Sequence, residues 1–211
     1  MNKNRCIYVV GPSIDYADWM QGKLVSSMED ADLVVFTGGE DVSPNLYGDS
    51  KHPTTSCNPN RDGYETGIYH QALQLKKPMI GICRGSQFLC VMNGGKLVQH
   101  QQNSPYLHLI KTFDDKLLEI TSEHHQAAYP WNLKHGEDFK TLAWTNGFSK
   151  FHFDGKGNEL LYAKEKCEVE TIYYPKTKCL GIQGHPEWMN EGHPTVVYLQ
   201  NLLDKFMENE L

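Results

Sequence analysis

Three short segments carry the residues with the most chemical potential. Gly81-Ile82-Cys83-Arg84-Gly85 follows an apolar run and precedes a helical one. That order has the shape of a nucleophile elbow, a strained tight turn that lifts its central side chain above the carboxyl ends of the strands. Residues two positions away on either side approach each other there, so glycine at 81 and 85 avoids a clash. The Cys83 sulfur is expected at the N-terminus of the following helix, where the helix dipole favours thiolate over thiol. Cys90, mid-helix on an apolar face and without glycine flanks, is the contrasting case of a buried structural cysteine.

A thiolate nucleophile needs a general base and a group that orients the base. Gly184-His185-Pro186-Glu187 offers both. Pro186 is expected to hold the backbone extended, so that His185 and Glu187 project to one side. Glu187 then accepts from one ring nitrogen and leaves the other facing Cys83. Thr37-Gly38-Gly39-Glu40-Asp41 follows a buried apolar run, and its two glycines let backbone approach a ligand closely. The N–H groups of Gly39 and Arg84 are the candidate oxyanion hole.

These segments need a scaffold that brings them to one edge. Ile7–Val10, Leu33–Phe36 and Met79–Ile82 read as short buried strands ended by glycine or by the elbow. A helix opened by Ser13 or Asp15 is expected after the first. Another is expected over 61–77, with Tyr64, Ile68, Ala72 and Leu75 on its apolar face and Pro78 as its stop. A third runs from Ser86 to Met92, and Asn93-Gly94-Gly95 supplies its left-handed cap. Strands alternating with helices imply parallel pairing and crossover helices. The second half differs. Leu117–Ile120, Thr141–Trp144, Leu160–Ala163, Val169–Tyr174 and Leu180–Ile182 are short strands, with turns at 154–158 and 175–178, which suggests antiparallel hairpins. Val196–Met207 closes the chain as an amphipathic helix.

Composition narrows the class of partner. The 211 residues, 39% hydrophobic and 22% charged, have the make-up of one ordinary globular domain. A net charge of -6 without a basic cluster argues against nucleic acid. No apolar run is long enough to span a bilayer, and the N-terminus lacks a signal-peptide pattern, so a cytoplasmic location is expected. Six cysteines without a C-x-x-C pair make a structural zinc site improbable. The 154–158 turn lacks the bidentate glutamate of a calcium loop.

Taken together, Gly81-Ile82-Cys83-Arg84-Gly85-Ser86-Gln87 and Gly184-His185-Pro186-Glu187-Trp188 resemble the class I glutamine amidotransferase superfamily. Thr37-Gly38-Gly39-Glu40-Asp41-Val42-Ser43-Pro44, Leu46-Tyr47-Gly48 and Arg61-Asp62 with Glu65 narrow the resemblance to the γ-glutamyl-γ-aminobutyrate hydrolase branch, a cysteine peptidase family. The similarity runs in order from about residue 31 to 190.

The resemblance implies an α/β, flavodoxin-like three-layer sandwich over residues 1–211, with a central mostly parallel sheet and antiparallel hairpins in the second half. It makes Cys83 the nucleophile, His185 the base and then acid, and Glu187 the orienting residue. Gln87, Gly38 and Arg61 fall among the substrate-binding positions. Ser122-Glu123-His124-His125-Gln126 resembles the segment lining the α-amino and carboxylate end of the substrate, with His124 the histidine preferred to face inward. The implied activity is hydrolysis of a γ-glutamyl amide without metal or organic cofactor. A glutaminase subunit feeding a synthase in trans and a non-catalytic relative are the alternatives, and homodimerisation stays open. Three departures stand out. The stretch before Leu33 is short, so one strand–helix unit is expected to be reduced or missing. Gly184 replaces a common aromatic and is expected to open a pocket wall. Glu40 adds a charge near the site.

Overall fold

The computed structural model describes residues 5–11, 15–101, 106–145, 149, 151–159 and 167–211. The expected strand at 160–163 and the Ser13 cap lie outside them.

The first half builds a parallel ladder. β1 (Cys6–Val10), a five-residue α1 (Asp15–Trp19), β2 (Lys23–Leu24) and β3 (Leu33–Phe36) come first. They are followed by α2 (Pro59–Gln74), β4 (Met79–Ile82) and α3 (Arg84–Met92). The short early unit is thus reduced rather than missing. The second half contributes β5 (Lys96–Val98), β6 (His100–Gln101), β7 (Leu107–Thr112), β8 (Leu117–Thr121), β9 (Ala127–Tyr129), β10 (Lys140–Thr145), β11 (His152–Phe153), β12 (Glu168–Tyr174), β13 (Cys179–Ile182) and α4 (Pro194–Glu208).

Nine of these strands form one sheet in the order β2-β1-β3-β4-β13-β12-β10-β7-β8. From β2 to β13 every pairing is parallel, and from β13 to β8 every pairing is antiparallel. β13, late in sequence, inserts beside β4 with Gly181 opposite Gly81. That single crossover sets the Gly-His-Pro-Glu segment next to the elbow.

Alternation sorts the apolar side chains onto two faces. Leu33, Val35, Ile80 and Ile82 pack with Tyr16 and Trp19 of α1 and with Leu199, Leu202, Leu203 and Phe206 of α4. Val34, Phe36 and Met79 pack with Tyr69 and Ala72 of α2 and with Phe88, Leu89, Cys90 and Val91 of α3. Helices on both faces of the sheet make the three-layer sandwich.

Two local departures are instructive. α2 begins two residues early because Asn58 caps it, accepting from the N–H groups of Asn60 and Arg61, with Pro59 in the first position. It ends before Lys76, whose φ of 53° breaks the helix. Its inward face also differs from the expected one. Asp62, Glu65, Tyr69 and Ala72 are buried, while Tyr64 is 58% and Leu75 38% exposed. The apolar pattern lost to charge, because a buried arginine of α3 takes Asp62 and Glu65 as partners.

Candidate active site

Cys83 joins β4 to α3 with φ 52° and ψ −109°. Such a backbone costs an L-residue about 1–3 kcal/mol and persists only where the surroundings enforce it. Here they do. A side chain on Gly81 would run into the backbone of Gly85, and one on Gly85 into the carbonyl of Phe36. On the neighbouring strand, a side chain on Gly181 would meet Ser86. α3 therefore starts directly against β3, β4 and β13.

The thiol is 4% exposed. Burial pushes its pKa up to about 12, aided by the charges of Glu187, Asp41 and Glu123; the Arg84 N–H opposes the shift. At the helix terminus the Arg84 N–H favours thiolate, and desolvation with three carboxylates outweighs it.

His185 lies on the other side of Gly38. A side-chain atom added to Gly38 would sit 3.3 Å from His185 Cε1 and 3.8 Å from Cys83 Cβ, so imidazole and thiol flank this glycine. His185 Nδ1 is 2.7 Å from Glu187 Oε1, which leaves Nε2 as the nitrogen for proton exchange. The segment is a short 3-10 turn over Pro186–Trp188 rather than the extended run expected, and the pair still meets within it. Trp188 stacks on the imidazole at 3.6 Å and 3°. The His185 N–H donates to the Thr121 carbonyl at 2.8 Å, and Thr121 Oγ1 donates back to the His185 carbonyl at 2.7 Å. Gly184 opens no wall, because Ile120 and the Thr121 carbonyl occupy the space its side chain would need.

The Gly-Gly turn is braced from two sides. The Gly38 N–H donates to the Tyr16 hydroxyl at 3.1 Å. Burial, and next the Glu187 charge, push that hydroxyl's pKa up to about 12. Gly39 has φ 136°, a glycine conformation, and sits against the Arg61 guanidinium. Arg61 donates to Glu65 Oε1 at 2.7 Å, Glu40 Oε2 at 3.0 Å and the Gly38 carbonyl at 2.9 Å. Its donors are thus engaged with the turn and with α2, and the added charge of Glu40 is balanced by it.

Arg84 is 1% exposed, and its guanidinium pairs with both Asp62 and Glu65. Asp62 Oδ2 also accepts from the Ser43 N–H at 3.1 Å. This cluster ties α2, the 37–43 turn and the first turn of α3 together behind Cys83. The Arg84 N–H stays beside the sulfur.

Gln87 is buried and donates to the Gln126 carbonyl at 2.9 Å and to Gln183 Oε1 at 3.3 Å. His124 Nδ1 lies 2.8 Å from the Gln126 carbonyl. Burial, opposed by the Glu170 charge, lowers its pKa to about 4. His125 turns outward instead, with Nε2 3.2 Å from Asp41.

Sequence reasoning passed over Tyr16, Gln183 and Glu170. Gln183 Nε2 reaches the Cys83 sulfur at 3.8 Å; a polar residue ending the apolar run Leu180-Gly181-Ile182 was the available signal. Tyr16, in a five-residue helix, carried none. Among the described residues, no group of three or more His, Cys, Asp or Glu side chains is placed to hold a metal ion. No described helix is long and apolar enough to cross a membrane.

Residues 17–127 match the sequence profile of the Peptidase C26 family. The glutamine amidotransferase-like protein YvdE of Lactococcus lactis is 33% identical over 173 residues, 76% of this chain and 68% of that protein. The gamma-glutamyl-gamma-aminobutyrate hydrolase PuuD of Escherichia coli is 26% identical over 163 residues, 70% of this chain but 60% of its own length. A glutamine amidotransferase from Thermotoga maritima shares the fold, with a TM-score of 0.60 at 15% identity over 100% of this chain and 99% of that one.

Proposed function

We propose that this chain, which belongs to the Peptidase C26 family, hydrolyses the γ-glutamyl amide bond of glutamine or a γ-glutamyl amine through a Cys83 thioester. The observation that carries the reading is the strained Cys83 at the head of α3, facing across Gly38 a His185 held by Glu187 at 2.7 Å.

The buried sulfur rests as thiol, so its proton passes to His185 Nε2 as sulfur attacks the γ-carbonyl carbon. Glu187 holds the imidazole and offsets the imidazolium charge. The N–H groups of Gly39 and Arg84 receive the oxyanion, and each such donor contributes on the order of 10²–10³ in rate. His185 then protonates the departing amine, leaving a γ-glutamyl thioester. It next takes a proton from water as that water attacks, and glutamate and free thiol are released. Tyr16 and Arg61 act on the turn that presents Gly39, as positioning residues. In this reading a γ-glutamyl amine is the substrate class, in keeping with the name of the Escherichia coli relative.

The test is glutamate release by the purified protein from L-glutamine and a panel of γ-glutamyl amines, with mass-spectrometric mapping of the adduct left by a glutamine-like diazoketone. Turnover without a partner and labelling at Cys83 are expected. Turnover only after a synthase is added would make the chain a glutaminase subunit instead. No release from any substrate together with no label on Cys83 would leave a non-catalytic relative.

A further inference from the structure

The ring stacked on His185 meets it in an unusual way. Three other ring pairs meet edge-on: Tyr69 and Phe88 at 6.4 Å and 89°, Trp131 and Phe139 at 5.5 Å and 76°, Tyr173 and Phe206 at 5.9 Å and 81°. Such contacts place the positive edge of one ring on the negative face of the other. His185 and Trp188 instead lie parallel, with ring centroids 3.6 Å apart and 3° between their planes. Centroids that close leave almost no sideways offset, so the two faces oppose each other directly. That sandwich is disfavoured for two neutral rings. It is favoured for a cation over an aromatic face, and indole is the best such face. Core filling does not account for the contact. Trp188 is 46% exposed, and Tyr106, parallel to it at 6.4 Å and 9°, is 61% exposed.

The proposed reaction supplies the cation. As the Cys83 S–H bond breaks and sulfur bonds the γ-carbonyl carbon, the proton arrives at His185 Nε2 and the imidazole becomes an imidazolium. His185 is 4% exposed, so water does little to solvate that charge. Glu187 offsets it at Nδ1. Cys83 across Gly38, Tyr16 of α1 and His124 are further titratable groups around the pair. We infer that Trp188 is a positioning residue that favours the imidazolium form of His185 by face-on stacking, and thereby assists removal of the Cys83 proton. The inference rests on the mechanism proposed above and adds Trp188 to the groups that carry it out.

The test follows hydrolysis of γ-glutamyl-p-nitroanilide across a pH series in wild type, Trp188→Phe and Trp188→Leu. Without the indole His185 is a weaker base, so it loses its proton at lower pH and accepts the Cys83 proton less readily. Trp188→Leu is expected to move the acid limb of kcat/KM down by about half a pH unit or more, and to lower kcat about tenfold with KM within about twofold. Trp188→Phe, which keeps a weaker ring face, should fall between the two, and it carries the test should Trp188→Leu fail to fold. A loss of kcat with the acid limb unmoved, a change in KM alone, or a Phe variant no better than Leu would overturn the inference and leave Trp188 a packing residue. Alkylation of Cys83 by iodoacetamide, mapped by mass spectrometry, needs no substrate and separates this inference from the γ-glutamyl reading. A rate about tenfold lower in Trp188→Leu at neutral pH, partly restored in Trp188→Phe, supports the inference even where no amide is cleaved. Equal or faster alkylation in the variants overturns it.

Discussion

Two buried ionisable clusters flank Cys83, and they differ in how fully their atoms are used. Behind the elbow, Arg84 pairs with Asp62 and Glu65, Glu65 also takes Arg61, and Asp62 also takes the Ser43 N–H. The carboxylate oxygens there all have donors. In the antiparallel half, among the described residues, Glu170 has one engaged oxygen and one without a donor, and Gln101 and Gln126 each leave an acceptor open. The first cluster lies among elements it must hold rigid, and a network whose carboxylate oxygens all have donors does that. The second is linked to the sulfur through Gln183, whose N–H donates to the Glu170 carbonyl and whose side chain reaches Cys83 at 3.8 Å. The two clusters thus differ in how much of their buried hydrogen-bonding capacity is met within the described residues.

The largest effect is expected at the point both clusters serve. Cys83→Ala should lower glutamate release by about 10⁴-fold or more, while its thermal midpoint stays near wild type, since neither cluster loses a partner. Breaking the complete cluster acts on stability instead. Arg84→Met leaves Glu65 with Arg61 alone and Asp62 with only the Ser43 N–H, and urea denaturation should show a loss of about 3–5 kcal/mol. Glu170→Gln sharpens the contrast, because it removes a charge that is only partly paired, and its stability should stay within about 1 kcal/mol of wild type.

Acid should loosen the open cluster. The pKa of His124 is lowered from 6.5 to about 4, so the folded state resists a proton that the unfolded chain accepts. Stability supported by neutral His124 is complete above pH 6.5 and is lost as pH falls toward 4. Urea midpoints measured across that window should decline, and His124→Gln should flatten the part of the decline due to this residue. The smallest effect is expected at Tyr16→Phe. It removes the acceptor of the Gly38 N–H, which should cost about 1 kcal/mol and lower kcat several-fold with KM little changed. A KM effect of the same size with kcat intact would place Tyr16 in substrate binding instead.

Legibility in the sequence followed the range of the interactions. The elbow was readable because glycines two residues either side of Cys83 report a local steric demand. The strands Leu33–Phe36 and Met79–Ile82 were readable because burial on both faces leaves an unbroken apolar run. The inward face of α2 was not. Periodicity pointed to Tyr64, Ile68, Ala72 and Leu75; Ala72 is buried and Ile68 packs on the core, but Tyr64 and Leu75 are exposed because Arg84 on another helix drew Asp62 and Glu65 inward. β7 was also missed, although Leu107–Thr112 alternates cleanly between exposed and buried positions. Leucines face solvent there while His108 and Thr112 face inward, the reverse of the usual pattern.

The sequence by itself determined the Cys83 elbow, the histidine–glutamate pair and the glycine turn, because each is a local constraint of backbone geometry or side-chain spacing. Only the tertiary structure decided what surrounds them. β13 enters the sheet beside β4 through a crossover that spans roughly half the chain, and β12 brings Glu170 alongside Gln183. Whether a buried carboxylate is satisfied depends on donors contributed by elements distant in sequence, and no local pattern records them.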